Sequence, residues 1–139
     1  MTAWQATCVA IAGRGLLIEG PPGSGKSTLA LALIERGAAL VGDDSVILEA
    51  RDGRLTALPH PLTRGLLEVR NLGLVPWAAC EAAPVCLVIA LDPQAPRFIE
   101  GAGRVERGGI AIPQVALWPS PSPPALKAEV ALRLYGLPG

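Results

Sequence analysis

The 139 residues carry no surplus of either charge, since twelve acidic side chains meet twelve Lys and Arg. That balance leaves no net field to recruit nucleic acid or an anionic membrane. The basic residues are almost all scattered arginines, so no run reads as a nucleic-acid arm. Long apolar runs are absent as well. The longest clean one, Val85 to Leu91, is about a third of the ~20 residues that a membrane-spanning helix needs. Met1-Thr2-Ala3-Trp4-Gln5 lacks both the charged start and the apolar stretch of a signal peptide, and a cytoplasmic protein is the expectation. Cys8, Cys80 and Cys86 are odd in number, sit among apolar residues and lack metal-ligand spacing, which points to buried free thiols. The one histidine, His60, stands between Pro59 and Pro61 and reads as a solvated loop residue. What remains is a compact globular composition, half hydrophobic and only 17% charged. Residues 1–139 suffice for a single domain with a real core.

Lysine is nearly missing too, with Lys26 and Lys127 the only two. Lys26 lies in Gly20-Pro21-Pro22-Gly23-Ser24-Gly25-Lys26-Ser27, a complete phosphate-loop pattern. Apolar Leu16-Leu17-Ile18 precedes it as a strand, and Thr28 to Arg36 follows as a helix that stops at Gly37. Glycines let the backbone turn so that several N–H groups face phosphate oxygens, and the helix start adds its positive dipole end. Residues 20–28, through Thr28, are therefore the candidate ATP-binding stretch. Lys26 would reach the β- and γ-phosphates, and the Ser27 hydroxyl would be a ligand for Mg2+. A glycine-rich turn that merely joins a strand to a helix is the bland alternative.

Thr7–Ile11 and Gly15–Glu19 read as a hairpin whose second strand delivers this loop. After the helix, Ala38 to Gly42 forms the next strand and ends at Asp43-Asp44. A right-handed crossover between parallel strands puts both C-terminal ends on one sheet edge, so the two carboxylates should stand beside the bound phosphates. One can hold Mg2+ and the other can take a proton from an incoming hydroxyl. Alternatively the pair only caps a turn. Asp92, at the end of the apolar run, competes for the metal.

Asp52-Gly53 marks a hairpin between Ser45–Ala50 and Arg54–Leu58. Leu66 to Leu74 reads as a short extended segment with Glu68 and Arg70 on one face. Ile110-Ala111-Ile112 is expected as a further strand ended by Pro113. Residues 119–124 form a proline-rich connector to a last helix, whose apolar face is Leu126, Val130 and Leu134.

Together, the phosphate loop, Leu40-Val41-Gly42-Asp43-Asp44 and Leu66-Leu67-Glu68-Val69-Arg70-Asn71-Leu72-Gly73 resemble the HPr kinase/phosphorylase family, in a short form consisting of the catalytic domain. The resemblance implies an α/β fold in which the phosphate loop sits in a mixed sheet, as in phosphoenolpyruvate carboxykinases. It implies an ATP- and Mg2+-dependent serine kinase acting on the phosphocarrier protein HPr, and also removal of that phosphate. Asp43 is then the acid/base on the protein serine and Asp44 supports the site. Glu68, with Ser27 and Asp44, helps bind the metal, and Arg70 belongs to the signature stretch. Gln5 stands near the position of a family histidine, and Asn71 follows Arg70 where the signature has glycine. An arginine for the transferring phosphate is either absent, supplied by Arg104 or Arg107, or lent by a neighbouring subunit. A homo-oligomer is compatible with the resemblance. An ATP-binding regulatory module and a small-molecule kinase are the competing functions.

Overall fold

The computed structural model describes residues 1–139. Strands β1 (Thr2–Trp4), β2 (Thr7–Ile11) and β3 (Arg14–Glu19) lead through the glycine-rich loop into α1 (Lys26–Glu35). Strands β4 (Ala39–Gly42), β5 (Val46–Arg51), β6 (Arg54–Pro59), β7 (Leu66–Val69), β8 (Gly73–Pro76) and β9 (Ala83–Leu91) follow. The chain ends with β10 (Gly103–Arg107), β11 (Ile110–Leu117) and α2 (Ala125–Tyr135).

The apolar run too short for a membrane is the central strand. β9 is covered on both faces, which is why its apolar residues do not alternate with polar ones. Leu87, Ile89 and Leu91 face one core cluster with Leu29, Leu33 and Ala128. Val85 and Val88 face the other, with Val41, Val46 and Leu55. β3 divides in the same way, Leu16 and Ile18 to the first cluster and Leu17 to the second, as a two-residue side-chain period requires.

The sheet order is β1-β5-β6-β9-β3-β2-β4, and β11 joins along β9 with β10 outside it. β9 begins beside β6 (Ala57 opposite Ala83) and later exchanges that neighbour for β11 (Val88 opposite Gln114). β3 and β11 are both parallel to β9. β2 lies between β3 and β4 and is antiparallel to each, so β3 and β4 run the same way without touching. The sheet is thus mixed, and β2 replaces the direct parallel contact that a simple crossover would make. The C-terminal ends of β3, β4, β9 and β11 still share one edge.

Three local expectations change. Leu66 to Leu74 is not one extended segment: β7 and β8 pair as a separate hairpin, and Asn71 in its turn has φ 74°, a left-handed conformation that Asn tolerates better than most residues. Pro113 does not end a strand but lies inside β11. There it pairs with β10 alone, opposite Arg104, because pairing with β9 starts only at Gln114. Finally, α2 buries Ala128, Ala131 and Leu132. Leu126 and Leu134 are each 61% exposed, because small alanines let the helix approach α1 and β9 closely and turn the leucines outward.

At its C-terminal end α1 closes as expected. The N–H groups of Gly37 and Ala38 donate to the carbonyls of Ile34 and Leu33, with Gly37 at φ 108°. Cys8 and Cys86 are buried, while Cys80 is half-buried, and all three are free.

Candidate functional site

Between the glycine-rich loop, the end of β4 and the β7–β8 hairpin lies a cavity of about 320 Å³. Pro22, Gly23, Gly25, Lys26, Ser27 and Thr28 line it, together with Asp43, Asp44, Glu68 and Arg70. Gly20, Pro21 and Ser24 shape the loop without lining the cavity. Gly20 and Pro21 turn their carbonyls to the Lys26 ammonium, at 2.9 and 3.2 Å. The Ser24 hydroxyl is buried with no partner.

The loop can follow this path because Gly23 and Gly25 adopt φ of 78° and 104°. The first bond of the helix runs from the Leu29 N–H to the Gly25 carbonyl at 2.9 Å. The preceding N–H groups of the first turn therefore have no intrahelical acceptor, the usual condition for anion binding at a helix start.

Asp43 is the hub of the site. Only 4% exposed, its carboxylate accepts hydrogen bonds from the Ser27 hydroxyl (2.8 Å) and the Thr7 hydroxyl (2.8 Å). It also accepts from the backbone N–H groups of Asp44 (3.0 Å) and Glu68 (2.9 Å). One side chain thus ties together β2, α1, β4 and β7. Asp44 lines the same cavity but differs in burial and backbone conformation. It is exposed, faces the cavity, and holds φ 64°, an unusual conformation for a residue with a Cβ.

The sequence-derived residues Lys26, Ser27, Asp43, Asp44, Glu68 and Arg70 thus border one space. Asp92 does not: its carboxylate accepts from the Gln94 N–H at 2.8 Å and caps a turn. Arg107 is also engaged elsewhere. Its guanidinium makes two bonds to Glu19, at 2.7 and 2.9 Å, and lies 4.9 Å over the Trp4 ring, whose N–H donates to the same carboxylate. The Glu19 hydrogen bonds raise the Arg107 pKa further. Neither Arg104 nor Arg107 lines the cavity, where Arg70 and Lys26 are the cations. His60 stays in its loop, its Nδ1 accepting the Leu62 N–H.

Sequence reasoning passed over Thr7, Thr63 and Leu74. Thr7 had a signal only in being a hydroxyl inside an otherwise apolar strand. Thr63 lines the cavity with a buried hydroxyl that has no partner.

Hard oxygen donors gathered at one place suit Mg2+, which takes one or two carboxylates and fills its remaining positions with water and substrate phosphates. Ser27, Asp43, Asp44 and Glu68 bring such oxygens to the cavity lining, and the loop presents N–H donors of the kind that a polyphosphate takes. The strand, loop and helix together with the carboxylate pair define an α/β protein with a mixed sheet, whose glycine-rich loop and carboxylates share one sheet edge.

Residues 1–80 match the model of the HPr Serine kinase C-terminal domain, and the chain belongs to that family. It is 45% identical over 74 residues to an HPr kinase/phosphorylase of Clostridium beijerinckii, and 46% identical over 76 residues to one of Shouchella clausii. These alignments take in 53% and 54% of this chain and 24% of each relative. The chain thus spans about a quarter of the length of the curated relatives it matches. The Hpr(Ser) kinase/phosphatase from Coxiella burnetii has the same fold, with a TM-score of 0.85 and 26% identity over 96% of this chain and 89% of that one. No helix is long and apolar enough to cross a membrane.

Proposed function

We propose that this chain is a protein-serine kinase domain acting on HPr or a close relative of it, with ATP as phosphoryl donor. The observation that carries the reading is the convergence of Lys26, Ser27, Asp43, Asp44, Glu68 and Arg70 on one cavity beside the phosphate loop. ATP would supply the γ-phosphoryl group, and Mg2+ held by Ser27 and Glu68, with Asp43 fixing the Ser27 hydroxyl, would neutralise charge on the phosphates. Around them the chain's own groups have separate tasks. The loop N–H groups orient the polyphosphate, and Lys26 leaves the Gly20 and Pro21 carbonyls to meet it. Arg70 supplies the second cation at the cavity wall.

The two aspartates divide the work opposite to the resemblance. Asp43 is saturated by four donors and grips the Ser27 hydroxyl, which suits the metal side. Asp44 is exposed and turned into the cavity, which suits a base that accepts the proton of the serine hydroxyl.

The test is phosphate transfer from ATP to purified HPr. Asp44→Asn should lower the rate about 10²–10⁴-fold and leave ATP binding intact. Absence of transfer by the parent chain, under conditions in which a longer relative works, overturns the kinase reading. ATP binding without transfer favours a regulatory module instead, a reading that the engagement of Arg107 by Glu19 supports.

A further inference from the structure

The cavity accounts for the phosphate end of a nucleotide but offers little to a base: its lining is polar and contains no aromatic ring. A second, smaller hollow lies on the same sheet edge, across the phosphate loop from the aspartates. In the order β9-β3-β2-β4, the loop leaves the end of β3 and Asp43 stands two strands away at the end of β4. On the other flank, Gly20 abuts Leu91 of β9 so closely that a Cβ added to it would lie 3.4 Å from the Leu91 Cβ. Leu91 in turn pairs with Leu117 of β11, and the Asp92 N–H donates to the Leu117 carbonyl at 3.0 Å. Trp118 comes next. It is therefore level with the start of the phosphate loop and two strand spacings away, about 10 Å.

Trp118, Arg97 and Lys127 line this hollow of about 140 Å³, with Ala95 and Leu117. Pockets for whole drug-sized ligands run to about 300–1,000 Å³, so this one suits a single ring system. The Trp118 N–H is committed to the Ala95 carbonyl at 2.7 Å, which fixes a ring that is 40% exposed. Lys127, one of the two lysines, holds its ammonium 5.4 Å from the ring centroid. The lining has two cations and no carboxylate. Such a site selects a flat, electron-rich ring that can stack on an indole and accept from cations.

We infer that this hollow is the base subsite of the nucleotide whose phosphates occupy the loop. The inference rests on the proposed phosphate binding. With the terminal phosphate turned toward Asp43 and Asp44, the ester end leaves on the opposite flank, where Trp118 lines the hollow. The base stacks on Trp118, while Arg97 and Lys127 donate to its ring nitrogens or to the ribose.

Titration calorimetry of the 139-residue chain with ATP and with inorganic tripolyphosphate, each with Mg2+, separates the two ends. Trp118→Leu should weaken ATP about tenfold, as loss of one base-stacking contact does, and leave tripolyphosphate within twofold. Lys127→Ala and Arg97→Ala, both at exposed positions, should each weaken ATP a few-fold and spare tripolyphosphate. They carry the test if Trp118→Leu fails to fold by circular dichroism. Unchanged ATP affinity in the folded variants, or equal loss of both ligands, overturns the base subsite alone. Failure of the parent chain to bind either ligand overturns the phosphate site and the base subsite with it.

Discussion

At the scale of single residues, Asp43 and Asp44 are adjacent and chemically identical, yet the fold makes them opposites. Four donors converge on Asp43 inside the protein, whereas Asp44 is exposed. Asp43→Asn replaces one accepting oxygen by an NH2 group that faces other donors, and should cost about 1–3 kcal/mol of stability. Asp44→Asn should stay within about 0.5 kcal/mol, since Asn tolerates a left-handed backbone. Urea denaturation of the two variants checks both values, and an equally destabilised pair would remove the distinction. The sequence located this pair beside the loop through strand direction alone, but it could not rank the two. The rank comes from the φ of 64° at Asp44 and from Thr7, whose hydroxyl looks like that of any strand-forming threonine until β2 lies against β4. Cys8 adds a pH dependence. Burial pushes its thiol pKa well above the ordinary value of 9.0, so the folded chain retains a proton that the unfolded chain releases. The stabilisation is complete below pH 9.0 and is lost as pH rises above it, by at most ~1.4 kcal/mol per pH unit. Stability measured across that range should fall less steeply in Cys8→Ala.

At the scale of elements, the β10–β11 hairpin is tied to the entrance of the phosphate loop. Arg107 reaches from β10 to Glu19, the residue before Gly20, and both side chains are largely shielded, at 17% and 16% exposure. Removing the guanidinium leaves a shielded carboxylate whose remaining donor is the Trp4 N–H, so Arg107→Ala should destabilise by about 1–3 kcal/mol. Arg107→Lys should recover only part of this, because an ammonium cannot make the paired bonds or lie flat over Trp4. Thermal unfolding of the two variants decides it, and indifference to Arg107→Ala would make the contact a surface ornament. None of this was legible beforehand, since the resemblance offered Arg107 only as a candidate for the transferring phosphate and Glu19 was only the end of a strand. The α2 stripe misled for a related reason. Leu126, Val130 and Leu134 form a regular spacing, but periodicity identifies an apolar face and cannot say which face the neighbouring helix admits. Ala128 and Ala131 won because closeness to α1 favours small side chains. Strands were easier: β9 was visible as the unbroken apolar run Val85 to Leu91, and the Asp52-Gly53 turn marked the β5–β6 hairpin, with Arg51 opposite Arg54.

At the scale of the whole molecule, two core clusters on opposite faces of one sheet hold the strand ends that border the candidate site. Every group proposed for phosphate binding is anchored in that body through short connections, so ligand binding and global stability should be linked. A ligand at a hundred times its Kd, bound only by the folded state, adds about 2.7 kcal/mol. For a chain of this size that is a rise in Tm on the order of 10 °C. ATP with Mg2+ should therefore raise Tm by that amount in differential scanning calorimetry, and chelation of the metal should remove much of the rise. Lys26→Ala is the decisive control. It removes the ammonium that bridges the Gly20 and Pro21 carbonyls and should abolish the shift, even if it lowers the starting Tm. A shift undiminished in Lys26→Ala would mean that the nucleotide binds away from the loop, and the roles given to Ser27, Asp43 and Asp44 would fall together.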